Sequence, residues 1–243
     1  RNKRGIAVDM KTPQGIDLVK TMSRSSDVLI HNFRPGVDRR LGIDYETLRE
    51  DNPGLVYAAF NAYGSRGPRN KARGYDLVVQ ASAGIAMRRT QSDGSPQPIG
   101  IFAVDMASSI MAGYAITLAL LKRTRTGRGQ KVSGSLLQTG LALQVPDAVR
   151  IAEVEEPPLD GTATRPATYS PFRCQDGKFV QLAVASNAEW ASLCQAIERD
   201  DLLNDARFSS TALRVEHSAA LEAIFSATFP SRPASFWQTR FDA

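Results

Sequence analysis

The sequence predicts an α/β protein, with a parallel sheet in a large first domain and a smaller α+β domain after it. Two patterns lead to this prediction. Apolar segments of strand length alternate with helical segments in the first sixty residues, and a segment rich in Pro and Gly near residue 160 coincides with a reversal of charge. At 243 residues and 42% hydrophobic content, the chain can bury a core in each domain.

The first sixty residues have the spacing of a βαβ unit. Residues 5–10 predict a short strand, 13–23 an amphipathic helix and 27–31 a second strand. A helix over 44–50 and an apolar strand over 55–60 follow. Because strands joined through helices pair in parallel, the sequence predicts a parallel, doubly wound sheet.

The next part of the large domain is predicted to be helical. A polar, basic segment with several backbone breakers, residues 64–74, predicts a surface loop. Helices are predicted over 75–87, 105–123 and 134–145, and Thr126-Gly-Arg-Gly-Gln is interpreted as a turn between the last two.

The second part of the chain predicts a separate small domain. We place the large domain at 1–150, a linker at 151–168 and the small domain at 169–243. The Asp176-Gly177 turn between two apolar segments indicates a β-hairpin. Helices are predicted over 189–197, 212–225 and 233–241.

Charge and cysteine content limit the possible partners and compartment. Residues 1–150 carry 22 Lys and Arg against 12 Asp and Glu, whereas residues 151–243 carry 8 against 13, so the first part is suited to an anion. We expect no nucleic acid, because the chain lacks zinc-ligand spacing, a continuous basic helix and basic segments with interleaved aromatics. Two cysteines, Cys174 and Cys194, favour a reducing, cytoplasmic setting.

Asp105 is the most informative residue because it is a lone carboxylate in an apolar segment. No residue from Met106 to Leu121 is charged, and small side chains recur there at helical spacing. We interpret this segment as a buried core helix, too short for a membrane span. A carboxylate at a helix N-terminus can act as a nucleophile in a partly dry site, and the alternative is an ordinary N-cap.

Five segments resemble the class III CoA-transferase (CaiB/BaiF) family in order and spacing. They are residues 1–15 (RNKRGIAVDMKTPQG), 27–36 (DVLIHNFRPG), 73–76 (RGYD), 99–114 around Asp105, and 126–132 (TGRGQKV). The resemblance implies a Rossmann-like large domain with a parallel sheet plus a smaller α+β domain. It also implies further segments before and after this chain, and a homodimer whose chains interlock like links.

The resemblance implies that Asp105 is the catalytic nucleophile. Its carboxylate would attack an acyl-CoA thioester, and aspartyl mixed-anhydride and aspartyl-CoA thioester intermediates would carry CoA to a free carboxylic acid. No metal and no permanently bound cofactor are implied, and coenzyme A enters as a substrate. The apolar neighbours of Asp105 fit this chemistry, because water would hydrolyse the anhydride.

The resemblance also implies a CoA channel. Arg34 and Arg40 would hold phosphate oxygens with forked donors, although surface charges on a loop are the alternative. Tyr75 and Asp76 would lie nearer the thioester, or would serve only as a packing aromatic and a second N-cap. The full set is Val8, Asp9, Met10, Lys11, Asn32, Phe33, Arg34, Arg40, Lys71, Arg73, Gly74, Tyr75 and Asp76.

Three other functions stay open at this stage. An α-methylacyl-CoA racemase of the same superfamily would use a histidine base where this chain has Tyr75, and a tyrosine is a poor base at neutral pH. A non-catalytic CoA-binding module would need Asp105 only as a cap. A nucleic-acid-binding protein is permitted by the basic pI of about 9.4.

The acyl donor and acceptor are not predicted from the sequence. Arg88 and Arg89 are candidates to bind an acidic acyl group. The alternative is that both are solvated side chains at a helix end.

Overall fold

The computed structural model describes residues 2–88, 95–145 and 166–242. Its contacts divide the chain into two compact units, Arg1–Thr162 and Ala163–Ala243. The predicted linker lies outside the described residues up to position 165. Ala167 and Thr168, the last two residues of the predicted linker, are buried and belong to the second unit.

The first unit contains a parallel sheet. Its strands are β1 (Val28–His31), β2 (Val56–Asn61) and β3 (Lys131–Ser135), in the order β1-β2-β3. Both pairs are parallel, with Val28 opposite Val56 and Tyr57 opposite Lys131. The parallel sheet and the two strands predicted at 27–31 and 55–60 are therefore confirmed.

Helices connect these strands, and the helices predicted over 13–23 and 44–50 are confirmed. Thr12 caps the first helix with a side-chain oxygen that accepts from the Gly15 N–H, and Pro13 occupies the first helical position. The helices of this unit are α1 (Pro13–Arg24), α2 (Val37–Leu41), α3 (Tyr45–Asp51), α4 (Asp76–Ser82), α5 (Ala103–Thr126) and α6 (Leu136–Ala142).

The predicted strand over residues 5–10 is wrong. These residues form a loop that ends in an Asx turn, where the Lys11 N–H donates to Asp9 Oδ1 at 2.9 Å. Ile6 is 63% exposed, whereas Met10 packs against the core beside α1. The apolar residues had the composition of a strand, but a strand also needs a neighbour to pair with, and the described residues supply none here.

The sequence does not predict strand β3. Thr126–Gln130 is a turn from a helix into this strand rather than between two helices, and α6 begins only at Leu136. Residues 131–135 are short and mostly polar, so their composition does not indicate a strand. Pairing with the buried strand β2 overrides that weak preference.

The predicted helix over 75–87 is interrupted. α4 ends at Ser82, Gly84 adopts a left-handed conformation at φ +84°, and a 3₁₀ turn follows at Ile85–Arg88. The positive φ suits glycine and ends the regular helix.

Helix α5 is longer and more exposed than predicted. It spans 24 residues, and only 22% of its 18-residue apolar window is buried within the described part of the chain, so the interpretation as a buried core helix is wrong. Met106, Ile110 and Tyr114 are all more than half exposed. By length and composition alone, α5 could cross a membrane. This is weak evidence for a membrane span, because core helices of soluble proteins and signal sequences pass the same test.

The second unit is an α+β unit. Strands β4 (Pro171–Arg173) and β5 (Phe179–Gln181) pair in antiparallel fashion around Gly177, as the predicted hairpin requires. The predicted helix over 212–225 is divided at His217 into two. The helices are α7 (Asn187–Ala196), α8 (Thr211–Glu216), α9 (Ser218–Thr228) and α10 (Ala234–Phe241).

An aromatic cluster forms the core of the second unit. Phe225 and Phe229 have no exposed surface, and Phe172 stacks on Phe229 with ring centroids 5.4 Å apart. Arg214 is also buried, and its guanidinium donates to the Phe208 carbonyl and to Asn187 Oδ1. Cys174 and Cys194 are buried free thiols in this core.

Gly129 provides a test of how β3 is held against β2. Its N–H donates to the Pro53 carbonyl at 2.9 Å, and an added Cβ would overlap with the carbonyl oxygen of Leu55. We expect Gly129→Ala to lower the free energy of unfolding by about 2 kcal/mol or more, because backbone atoms would have to move. Urea unfolding measures this change.

Gly113→Ala is the matched control, because an added Cβ there meets no atom within 4 Å. Replacing glycine inside a helix should stabilise it by about 0.5 kcal/mol or more. Equal destabilisation by the two variants would contradict the close approach at Gly129.

Candidate active site

The candidate site lies where the parallel strands end. His31 ends β1, Asn61 ends β2 and Ser135 ends β3, and open α/β sheets bind ligands at the carboxyl ends of their strands. Three adjoining cavities of 360, 210 and 820 Å³ lie at this edge. Asn61 lines all three, so they meet at the end of β2, and we refer to the three together as the channel.

Asp105 lines the largest of these cavities. It is the third residue of α5, and the N-cap position is held by Phe102, which makes no capping hydrogen bond through its side chain. No hydrogen bond or ion pair of the Asp105 carboxylate is found among the described residues. Asp105 is therefore not an ordinary N-cap, and its carboxylate has no protein partner among the residues that the structure describes.

A buried carboxylate fixes the backbone of Asp105. Asp76, the first residue of α4, is 2% exposed, and its Oδ2 accepts the Asp105 N–H at 2.7 Å. Its other oxygen accepts from the amide of Gln80. Gln80 in turn donates to the Ile101 carbonyl at 2.9 Å and accepts the Ile99 N–H at 3.0 Å. Asp76 and Gln80 thus hold the loop that leads into α5.

This position changes the expected role of Asp76. Asp76 was predicted either to contact CoA or to be a second N-cap, but the N-cap of α4 is Tyr75, and Asp76 lines none of the three cavities. It lies beneath the site, where it supports the nucleophile candidate rather than a ligand.

Two effects act on the Asp105 carboxyl group. Burial raises its pKa above the ordinary value, and the negative charge of Asp76 raises the pKa further. A carboxylate with a raised pKa is a stronger base and a more reactive nucleophile once ionised.

The loop before α4 brings two predicted residues to the channel. Tyr75 is 74% exposed and lines the cavities of 210 and 820 Å³, and Arg73 lines the first of these. Gly74 fits between them because an added Cβ would overlap with Ala62 and touch the ring of Tyr63 at 3.0 Å. Lys71 is exposed and lines none of the three cavities.

Cationic side chains line the 360 and 210 Å³ cavities. Arg34 borders the cavities of 360 and 210 Å³, and Gly36, at φ +86°, allows the turn in which the Val37 N–H donates to the Arg34 carbonyl. Arg39 and Lys131 also line the 360 Å³ cavity. Arg40, the predicted phosphate ligand, lines none of the three, whereas its neighbour Arg39 lines the 360 Å³ cavity.

The other predicted residues divide into two groups. Asn32 lines the 210 and 820 Å³ cavities, and Phe33 lines the 360 Å³ cavity. None of the residues Val8, Asp9, Met10 and Lys11 lines any of the three.

His31, Asn61, Arg39 and Lys131 were missed by the sequence analysis. His31 ends the strand predicted at 27–31 and Asn61 directly follows the strand predicted at 55–60, and these positions are a signal available in the sequence. Lys131 begins the strand that was itself missed, so its place beside β2 could not be derived.

His31 is held as a neutral imidazole. Its Nδ1 accepts the Phe33 N–H at 3.1 Å, and its ring stacks on Phe33 with centroids 4.8 Å apart. Burial lowers the pKa of His31, the charge of Asp38 opposes this effect, and Lys131 lowers the pKa further. Its Nε2 is buried and has no partner among the described residues.

No group of three His, Cys, Asp or Glu side chains within residues 2–88, 95–145 and 166–242 is arranged to hold a metal ion.

The sequence model of CoA-transferase family III matches residues 1–243. The chain belongs to this family. The resemblance found in the five sequence segments is thereby confirmed. The chain is 33% identical to an acyl-CoA transferase of Fusarium pseudograminearum over 244 residues, which are 100% of this chain and 53% of that protein. It is 30% identical to a succinyl-CoA:glutarate CoA-transferase of Mus musculus over 244 residues, 100% of this chain and 56% of that protein.

The solved structures of two further proteins are similar in fold to this chain. Rv3272 from Mycobacterium tuberculosis superposes with a TM-score of 0.87 at 30% identity, covering 100% of this chain and 64% of that one. A CAIB/BAIF family protein from Brucella suis gives a TM-score of 0.78 at 28% identity, with coverage of 100% and 64%. The chain spans about half the length of the curated relatives it matches.

Asp76→Asn tests the support beneath Asp105. An asparagine can accept only one of the two hydrogen bonds, so we expect the free energy of unfolding to fall by about 1–3 kcal/mol. For a reaction in which Asp105 is the nucleophile, the rate should fall about tenfold to a hundredfold, because a misplaced nucleophile reacts slowly. Loss of the Asp76 charge should also lower the pKa of Asp105, so the acid-side decline in rate moves to lower pH.

The control for this variant is Asp51→Asn. Asp51 forms an exposed ion pair with Arg24 at 2.9 Å, and such pairs contribute little to stability. A pH profile for Asp76→Asn that coincides with the wild-type profile would rule out electrostatic coupling of the two carboxylates.

Proposed function

We propose that this protein is an acyl-CoA:carboxylate CoA-transferase in which Asp105 is the nucleophile. The observation that carries the proposal is the Asp105 carboxylate, unpartnered in the described structure, in a cavity that shares Asn61 with a neighbouring cavity lined by Arg34, Arg39 and Lys131. Membership of CoA-transferase family III supports the same reaction class. Relatives with names of this class include an acetyl-CoA:oxalate CoA-transferase of Acetobacter aceti, 31% identical over 98% of this chain and 61% of that protein.

The reaction would begin with attack of an Asp105 carboxylate oxygen on the thioester carbonyl carbon. The C–S bond breaks, CoA leaves as a thiolate, and a mixed anhydride joins the acyl group to Asp105. The thiolate then attacks the aspartyl carbonyl of this anhydride and releases the acyl group as a free carboxylate. An aspartyl-CoA thioester remains.

The acceptor acid would reverse these steps. Its carboxylate attacks the aspartyl-CoA carbonyl and expels the CoA thiolate, and the thiolate attacks the acceptor's carbonyl in the new anhydride. Acceptor acyl-CoA forms and the Asp105 carboxylate is regenerated. Because one thioester is consumed and one formed, the exchange balances without metal, ATP or a permanently bound cofactor.

The channel suits an extended CoA molecule. We assign its phosphates to Arg34 and Arg39, because guanidinium groups bind phosphate oxygens through forked hydrogen bonds. The pantetheine arm would pass Asn61, the residue common to all three cavities, and bring the thioester to Asp105. Arg73 and Tyr75 border this path. Residues 8–11, Lys71 and Arg40 are not part of this assignment.

A racemase is the second candidate because His31 lines the same cavity as Asp105. A base must offer a lone pair to the substrate. The Nδ1 lone pair of His31 already accepts the Phe33 N–H, so the proton of the neutral ring lies on Nε2. This arrangement favours transfer over proton abstraction. A transferase should not exchange the α-proton of its acyl-CoA for deuterium in heavy water, whereas a racemase should.

We further propose a cytoplasmic location and an interlocked homodimer. The two buried free thiols of Cys174 and Cys194 are consistent with a reducing compartment. The apolar side chains that α5 exposes support burial against further protein rather than free exposure to water.

Trapping with hydroxylamine tests the covalent mechanism. Incubation with acyl-CoA thioesters and hydroxylamine should convert the Asp105 carboxylate to a hydroxamate, which peptide mass spectrometry detects, because an anhydride or thioester at Asp105 reacts with this amine. Asp105→Asn should give no adduct while it still binds CoA. Absence of an adduct with every donor, despite measurable CoA binding, would reject the transferase mechanism.

Arg34→Gln tests the phosphate end of the channel. Loss of a charge-assisted hydrogen bond should weaken CoA binding about tenfold or more and reduce its dependence on salt. Dephospho-CoA and CoA are compared by titration calorimetry. Arg24→Gln, on the surface of α1, is the matched control and should leave the CoA affinity unchanged. Equal affinities for the two variants would exclude Arg34 as a CoA ligand.

A further inference from the structure

The cavity beside Asp105 is a groove along one face of α5. Its α5 lining repeats at helical spacing through Asp105, Ser108, Ser109, Ala112, Gly113 and Ile116. Eleven residues separate the first and last of these, which corresponds to about 16 Å of helix. The groove is therefore long enough for an extended acyl chain that begins at the Asp105 carboxylate.

The sheet forms the opposite wall of this groove, and its polarity changes with position. His31, Asn32 and Asn61 are polar and lie at or just after the strand ends, whereas Ile30 and Phe60 lie one position earlier in their strands. On α5, the lining changes in the same way, from Asp105 and two serines to Ala112, Gly113 and Ile116. The part of the groove away from the strand ends is thus apolar.

Among the described lining residues of the groove, none is a lysine or an arginine. His31 is the one basic side chain there, and burial lowers its pKa. Arg88 was a candidate to meet an acidic acyl group, but it does not line the groove and donates to Gln144 Oε1 at 2.8 Å. Arg89 lies outside the described residues. A second carboxylate on the acyl group would enter an apolar space without a cation to offset its desolvation.

A buried hydroxyl points independently to a ligand in this groove. Ser108 lies one turn beyond Asp105, is 5% exposed and lines the groove, yet its hydroxyl has no partner among the described residues. Serines inside helices commonly donate to a carbonyl one turn earlier, as Ser109 does to the Asp105 carbonyl at 2.9 Å. The unpaired hydroxyl of Ser108 remains available for an oxygen of the bound acyl group.

We propose that the acyl groups exchanged at Asp105 are aliphatic monocarboxylates whose chain lies along α5, and not dicarboxylates such as succinate or glutarate. This inference rests on the proposed CoA-transferase function of the same site. The described lining residues supply hydrophobic contacts to the methylenes and no Lys or Arg for a second carboxylate, so chain length and terminal charge together determine which donors react.

A donor series tests this substrate class. Butyryl-, hexanoyl- and octanoyl-CoA are compared with succinyl- and glutaryl-CoA by the rate of hydroxamate formation at Asp105 and by dissociation constants. The rate at low donor concentration should rise about fourfold for each added methylene. Succinyl-CoA should react about a hundredfold more slowly than butyryl-CoA, because its carboxylate must be desolvated.

Gly113→Phe tests the depth of the groove. An added Cβ at Gly113 meets no atom within 4 Å, so the ring can occupy the groove, about 12 Å along the helix from Asp105. Trapping by octanoyl-CoA should fall at least tenfold while trapping by butyryl-CoA stays within about twofold. Ile110→Phe is the matched control: Ile110 is 71% exposed on α5 and lines none of the three cavities, so both rates should be preserved.

Ser109→Arg tests the role of charge. It introduces a cation one turn from Asp105 and should raise the rate ratio of succinyl-CoA to butyryl-CoA about tenfold, because the second carboxylate gains a partner. Ser109→Gln adds length without charge and should leave the ratio unchanged.

The outcomes separate this proposal from the proposed function. Adducts with all donors at equal rates, or faster reaction of succinyl-CoA, would overturn the acyl class and leave the transferase intact. Absence of adducts with every donor would reject the transferase function. The dissociation constants would then test the acyl class, and equal affinity for octanoyl-CoA and succinyl-CoA would overturn that class. A Gly113→Phe variant that unfolds, or that slows both chain lengths equally, would indicate that protein rather than an acyl chain occupies the groove.

Discussion

The hydrogen bond from the Asp105 N–H to the buried Asp76 carboxylate is the contact on which the candidate site depends. Through Gln80, the same carboxylate is connected to the backbone at Ile99 and Ile101, so one short network joins α4, the loop before α5 and the first turn of α5. A buried carboxylate without partners would be costly, and here both oxygens accept hydrogen bonds. The same group that orients Asp105 also raises its pKa.

The parallel sheet places polar and apolar side chains at different positions in the channel. Strand ends bring polar side chains such as Asn61 to one edge, and the loops beyond them carry Arg34 and Arg39. One strand position earlier, Ile30 and Phe60 are apolar and face the groove along α5. A charged region and an apolar region therefore adjoin in the channel. This arrangement arises because successive side chains of a strand point to opposite faces of the sheet, whereas the loops extend beyond the strand ends.

The sequence predicted those parts of the fold whose residues carry strong local signals. β1, β2 and α1 have clear apolar periodicity or a cap, and the family resemblance singled out Asp105. β3 was not predicted because its stability comes from pairing with β2, and residues 5–10 were assigned to a strand although pairing there is absent in the described structure. The hydrogen bond from the Asp105 N–H to Asp76, and the presence of Arg39 rather than Arg40 in the cavity lining, depend on contacts between elements distant in sequence, which composition and spacing do not report.

The first turn of α5 has a consequence for how negative charge is stabilised beside Asp105. A helix N-terminus usually offers free N–H groups to an anion. Here the Ala103 N–H donates to Ile101, the Asp105 N–H to Asp76, and the Met106 N–H to Phe102. The helix end therefore contributes the field of its dipole but few free donors. In the proposed reaction, an oxyanion formed during attack on a carbonyl would be solvated by amide and hydroxyl side chains that line the channel. The same side chains would then determine both the stabilisation of the transition state and the fit of the substrate.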